Sequence, residues 1–282
     1  MTGIGTTETT GTTETTAADL RARWLSSRRP RTETTLDLYC FAHAGGSAGE
    51  FLRWSAGLPG VRLWAVRLPG RAPRQEEPPY SRMTDLVADL VDQVDFAGHD
   101  SAGHDSAGHG SAGRGSAGRD FAFFGHSLGA LIAFETTRAL RRAGLRQPRR
   151  LLLSSMQPPP ITTSGTAHLL PDDELLVELE RRWGALPQVV HDDPELKKLA
   201  LDQLRADAAL AETHAHVPEE PLDIPFTVFA GDREDAGQLD WHVHTRAACD
   251  AHVLPGGHFY FREPEAQQEL LRLVGGALNT ES

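Results

Sequence analysis

The chain has 282 residues, 39% of them hydrophobic, and a formal charge of −11; that is enough for one sizeable buried core, and the acidic balance excludes a general binder of nucleic-acid phosphate. No apolar run approaches the ~20 residues that span a bilayer and the N-terminus carries no apolar signal core, so neither a membrane partner nor export is expected. Two cysteines, Cys40 and Cys249, cannot build a disulfide framework, which fits a reducing cytoplasm.

In chain order, residues 5–16 repeat GTTETT twice and have no apolar periodicity to offset the cost of ordering them, so 1–20 reads as a disordered tail. Leu36–Phe41 and Val61–Val66 read as strands, and Met83, Leu86, Val87, Leu90, Val91 and Val94 form a helical face. From 97 to 120 a five-residue SAGHD-like repeat follows, whose period suits neither helix nor strand. Its His99, His104 and His109 read as part of a flexible surface insertion, without the rigid geometry a metal site needs, and no metal is expected. Phe121–Phe124 is a short apolar strand, Ser127–Arg142 a helix stopped near Gly144, and Arg150–Ser154, Phe226–Ala230 and Ala251–Leu254 are further strands.

This alternation predicts an α/β fold with a mostly parallel central sheet flanked by helices. Residues 157–222 break it with two helical segments, Asp172–Trp183 and Pro194–Thr213, which suit a lid; ordinary packing on the sheet is the competing reading. Trp183, Leu175, Leu176 and Leu179 are candidates for an acyl pocket or, as the commoner fate of such residues, for core. One domain over 21–275 is expected, with 276–282 as a tail.

Gly125-His126-Ser127-Leu128-Gly129 is a G-x-S-x-G sequence between a strand and a helix, the place where a nucleophile elbow exposes a serine on a sharp turn. A serine hydroxyl needs a base, and His258 in Pro255-Gly256-Gly257-His258 sits on a loop free enough to reach it. A carboxylate should hold that imidazole. Asp232, Glu234 and Asp235 compete in the loop after Phe226–Ala230; Asp235 is the first choice, then Glu234, then Asp232. For the oxyanion, the Leu128 N–H supplies one donor, and the loop His43-Ala44-Gly45-Gly46 a second, assigned to Ala44. His43 then organises the loop rather than acting as base.

Five ordered segments, Tyr39-Cys40-Phe41-Ala42-His43-Ala44-Gly45-Gly46-Ser47-Ala48, Leu68-Pro69-Gly70-Arg71, Phe124-Gly125-His126-Ser127-Leu128-Gly129-Ala130, Leu204-Arg205-Ala206-Asp207 and Pro255-Gly256-Gly257-His258-Phe259-Tyr260, resemble those of type II thioesterases. These are the stand-alone editing enzymes of nonribosomal peptide and polyketide synthesis, on the α/β-hydrolase fold. The resemblance implies Ser127 as nucleophile, His258 as base, an acid from Gly231–Asp235, and hydrolysis of acyl or aminoacyl thioesters on the phosphopantetheine arm of carrier proteins. It implies no cofactor beyond that substrate-borne arm, acyl or peptidyl carrier domains as partners, and a monomer. Arg67, Arg71 and Arg74 are candidates to meet the acidic carrier, with pairing to Glu76 and Glu77 as the alternative. A carboxylesterase or acyltransferase on the same fold, and a non-catalytic carrier-binding protein, are the competing functions.

Overall fold

The computed structural model describes residues 16–28, 33–97, 119–160, 165–183 and 188–279. Its elements are α1 (Ala17–Trp24), β1 (Leu25–Ser27), β2 (Leu36–Phe41), α2 (Gly49–Leu52), β3 (Val61–Val66), α3 (Met83–Gln93), β4 (Asp120–His126), α4 (Leu128–Arg142), β5 (Leu151–Ser154), α5 (Asp172–Trp183), α6 (Gln188–Asp192), α7 (Pro194–Glu212), β6 (Phe226–Gly231), β7 (Cys249–Leu254) and α8 (Pro264–Asn279). The seven strands lie in the order β1-β3-β2-β4-β5-β6-β7. All pairs are parallel except β1 on β3, as the alternation of strands and helices predicts.

Period-two alternation sends neighbouring side chains of the central strands to opposite faces, and both faces are covered. Tyr39, Phe41, Phe121, Phe123, Leu151 and Leu153 pack with α3 and α4. Leu38, Cys40, Ala122, Phe124 and Leu152 pack with Phe51, Trp54 and the inner stripe of α8. A third cluster, Ala167, Leu175, Leu176, Leu179, Leu201 and Leu204, belongs to the helices between β5 and β6. The leucines of α5 are therefore core of that insertion rather than of the sheet.

Both ends of the domain reach further than the sequence suggests. Thr16 and Asp19 form a reciprocal capping box that starts α1 at Ala17, inside the stretch expected as tail, and Trp24 at its end is buried. Helix α8 continues to Asn279, past the expected boundary at 275. Gly275 and Gly276 resemble a stop signal, but the buried series Ala266, Leu270, Val274 and Leu278 carries the helix through them. Residues 1–15, the repeat at 98–118 with His99, His104 and His109, and the Trp183 side chain lie outside what is described. Among the described residues no helix is long and apolar enough to cross a membrane.

Candidate active site

The loops that leave the C-terminal ends of β2, β4, β5, β6 and β7, five neighbours in the sheet, carry His43 to Gly46, Ser127, Ser155, Glu234 and His258 respectively. A parallel sheet thus delivers to one edge residues that are far apart in sequence.

Ser127 has φ 54° and ψ −122°, a backbone conformation that a non-glycine residue adopts only where its surroundings impose it. The flanking glycines make the turn possible. A Cβ on Gly125 would lie 2.2 Å from the Gly129 carbonyl oxygen, and one on Gly129 would lie 2.1 Å from that of Phe41. The second contact shows that the start of α4 abuts the end of β2, so the Ser127 turn and the His43–Gly46 loop are neighbours. Ser127 is buried, and its N–H donates to the Ser154 carbonyl at 2.8 Å.

His258 Nδ1 is hydrogen-bonded to Glu234 Oε1 at 2.8 Å. The other Glu234 oxygen, Oε2, accepts from Ser155 Oγ at 2.6 Å and from the Gly231 N–H at 2.8 Å. Burial pushes the Glu234 carboxyl up, but the hydrogen bonds from His258, Ser155 and Gly231 outweigh it and hold the group below its usual range. The structure does not bring Asp235 to the imidazole. Asp235 precedes a short 3-10 helix and accepts from the Gly237 N–H at 2.7 Å, while Asp232 Oδ1 accepts from the Gly256 N–H at 2.9 Å. The partner of the imidazole is Glu234 rather than Asp235: the Glu234 N–H turns back to the Gly231 carbonyl, 3.1 Å, and in that turn the Glu234 carboxylate meets both the Gly231 N–H and His258. Gly231 lets the two loops meet, since a Cβ there would fall 2.5 Å from the Gly256 oxygen.

The His258 ring lies 5.0 Å, centroid to centroid, from that of His126, the residue before the serine. Its Nε2 is buried and has no hydrogen-bond partner, Ser127 Oγ included; hydrogen bonds of this kind commonly tighten only when substrate is bound. Beneath the turn, His126 Nδ1 meets Ser154 Oγ at 2.8 Å and Ser154 Oγ meets the Tyr260 hydroxyl at 2.6 Å. Burial, with His258 and His43 nearby, drives the His126 imidazole far below its ordinary value, so it stays neutral and tethers the turn to the His258 loop.

The Ala44 loop is held from two sides. His43 Nδ1 contacts the Ala44 carbonyl at 2.8 Å and Nε2 contacts Glu50 at 2.9 Å; Arg262 joins by donating to Glu50 at 2.8 Å. From the insertion, Asp207 on α7 accepts the Gly45 N–H at 2.7 Å and an Arg71 hydrogen bond on the same oxygen. Gly45 and Gly46 N–H groups are thereby engaged, the latter with the His43 carbonyl. Leu128 opens α4, where the first N–H groups have no intrahelical acceptor.

The arginines named as a docking patch are used internally. Arg71 pairs with Asp207, Arg74 with Glu77 at 2.6 Å, and Arg67 donates to the Leu25 carbonyl at 2.9 Å. Among the described residues, Glu135, His214 and His216 are the group whose ligand atoms converge within 4.8 Å. Arg138 Nη1 donates to both Glu135 oxygens there, at 2.7 and 2.9 Å, so a guanidinium already supplies the positive charge.

The model of the thioesterase domain matches residues 37–110 and 111–278. The chain belongs to the thioesterase family. It is similar to the thioesterase PikA5 of Streptomyces venezuelae, 35% identical over 85% of this chain and 80% of that one. It is similar also to the human medium-chain S-acyl fatty acid synthase thioesterase, 29% identical over 85% and 86% of the two chains. Among solved structures, the type II thioesterase BorB from the borrelidin biosynthetic cluster superposes with a TM-score of 0.74 at 32% identity, covering 91% of this chain and 98% of that one. With the sheet and loops above, this makes the molecule an α/β-hydrolase-fold thioesterase, a hydrolase of thioesters.

Proposed function

We propose that this thioesterase releases acyl or aminoacyl groups from the phosphopantetheine arm of carrier proteins in nonribosomal peptide or polyketide synthesis, with Ser127, His258 and Glu234 as its catalytic residues. The observation that carries the reading is the pairing of Glu234 with His258 Nδ1, which leaves a buried, unpartnered Nε2 on a ring 5.0 Å from that of His126, the residue before a serine held in a strained turn. The relatives' names, one a type II thioesterase of the borrelidin biosynthetic cluster and one an S-acyl fatty acid synthase thioesterase, support the substrate class.

Ser127 Oγ attacks the thioester carbonyl as its proton passes to His258 Nε2. The developing oxyanion accepts from the Ala44 and Leu128 N–H groups. The tetrahedral intermediate expels the pantetheine sulfur, which leaves readily because a thiol ionises near ~8.5 and takes the proton from His258. Water, deprotonated by the same nitrogen, then attacks the acyl-serine and frees the acid. Glu234 fixes the tautomer that presents Nε2 as acceptor and stabilises the imidazolium formed in each half.

The test is mass spectrometry of a carrier loaded with acetyl, longer acyl or aminoacyl groups, alongside simple oxygen esters. Hydrolysis of the loaded carriers at rates well above the oxygen esters, abolished in Ser127→Ala, is expected. Faster turnover of oxygen esters would favour a carboxylesterase, and unchanged cleavage by the Ser127→Ala protein would remove the reading altogether.

A further inference from the structure

Ser127 and Ser155 are the two non-glycine residues with positive φ among the described residues, 54° and 51°. The first is accounted for by the elbow. Ser155 lies just past the end of β5, between the strand that leads to the nucleophile and the strand that leads to the acid. Its N–H donates to the Phe229 carbonyl of β6 at 2.8 Å, its side chain is buried, and its hydroxyl donates to Glu234 Oε2 at 2.6 Å.

Glycine is the residue that adopts such a φ freely, so a serine here opposes the local backbone preference. The return lies in the hydroxyl. A glutamate side chain has three rotatable bonds before its carboxylate, and burial costs it that freedom unless its oxygens are fixed. Oε1 faces His258, while Oε2 is held by the Gly231 N–H and by Ser155 Oγ. Of the two bonds on Oε2, only that from Ser155 comes from the end of another strand, so it anchors the carboxylate to the part of the sheet adjoining the nucleophile.

Resting on the triad reading above, we infer that Ser155 is a positioning residue of this hydrolase: its strained backbone aims a hydroxyl at Glu234 and fixes the carboxylate that orients His258. It touches no reacting atom. Its contribution is to the fraction of molecules in which His258 Nε2 faces the serine, and so to kcat rather than to substrate affinity.

Ser155→Gly separates strain from function, because it relieves the unfavourable φ while deleting the hydroxyl. The expected result is a fall in kcat of about tenfold, KM within about twofold, and a melting temperature equal to or above that of the parent. The downfield proton resonance of His258 Nδ1–H should broaden or move, since the carboxylate it shares loses one anchor. Ser155→Ala, which keeps the strain, should show the same kcat loss with a lower melting temperature. Wild-type kcat in Ser155→Gly with an unmoved proton resonance would overturn the inference. Glu234→Ala and Ser127→Ala serve as reference arms. If both cripple hydrolysis while Ser155→Gly does not, the inference alone fails; if Glu234→Ala retains full activity, the triad reading fails and takes the inference with it.

Discussion

Asp207 accepts the Gly45 N–H at 2.7 Å across 162 positions of sequence, so a helix of the insertion holds the loop that carries Ala44, the oxyanion donor proposed above. The same oxygen takes the Arg71 guanidinium, and both charged side chains are buried. Two of the family-like segments, Leu68–Arg71 and Leu204–Asp207, are thus joined to a third, the His43–Gly46 loop, through one carboxylate.

Replacing Asp207 by alanine strands a buried guanidinium and frees the loop. A loss of about 3 kcal/mol in stability is expected from the unpaired charge. At temperatures where the variant is still folded, kcat should fall by about tenfold or more, because a displaced oxyanion donor acts on the transition state. Denaturant midpoints and steady-state rates with an acyl thioester measure the two effects separately. A stable variant with parental kcat would show that Gly45 needs no such anchor.

The acid assignment separates two adjacent residues. Glu234→Ala should lower kcat/KM by about 10²–10⁴-fold, the range for removing the carboxylate of such a triad, whereas Asp235→Ala should stay within about threefold because its carboxylate serves a short turn. Steady-state kinetics on both variants decides. The reverse ranking would return the role to Asp235.

Glu50 provides a pH signature. Burial pushes its carboxyl up, but hydrogen bonds from His43 and Arg262 prevail and hold it at about 2 instead of the ordinary 4.5. A lowered folded-state value stabilises the protein above the unfolded-state value, and that contribution disappears as pH falls from 4.5 toward about 2. The full effect is on the order of 3 kcal/mol. Unfolding curves from pH 5 to 2 should therefore fall more gently for Glu50→Gln than for the parent; parallel curves would refute the coupling.

Gly129→Ala tests the close approach of α4 to β2. Its added methyl would meet the Phe41 carbonyl oxygen at 2.1 Å and that of Ala42 at 2.8 Å, both backbone atoms that cannot rotate aside. Destabilisation of about 2–3 kcal/mol is expected, in the range of overpacked cores, together with lost activity as the serine turn is pushed out. Calorimetry beside an activity assay checks it, and a silent substitution would mean the turn is more yielding than its contacts imply.

Much of this site is legible in the amino-acid order because its logic is local. A short continuous apolar run buried on both faces, followed at once by Gly-His-Ser-Leu-Gly and a helix, leaves few alternatives for Ser127. Gly256-Gly257-His258 after a strand is similarly telling. The acid is not local in this sense. Glu234 and Asp235 are consecutive in an exposed-looking turn, and which one faces His258 depends on the bond from the Glu234 N–H back to Gly231 and on Ser155, whose positive φ leaves no trace in residue type. Strand β1 is similarly hidden, since three residues paired antiparallel at an edge are too few for any period to show. The Arg71 pairing crosses 136 positions, and an arginine after a Pro-Gly turn reads as surface until its distant partner is known.

The third apolar cluster changes how the molecule yields. Leu175, Leu179, Leu201 and Leu204 form a nucleus of their own, while Leu210 and Asp207 further along α7 join the main core and the Gly45 loop, so the α5 end of the insertion can loosen first while the seven strands keep their pairing. Such partial melting costs far less than disassembly of the whole. Softness and stiffness are thereby housed in different nuclei, coupled where Asp207 of α7 grips the Gly45 N–H.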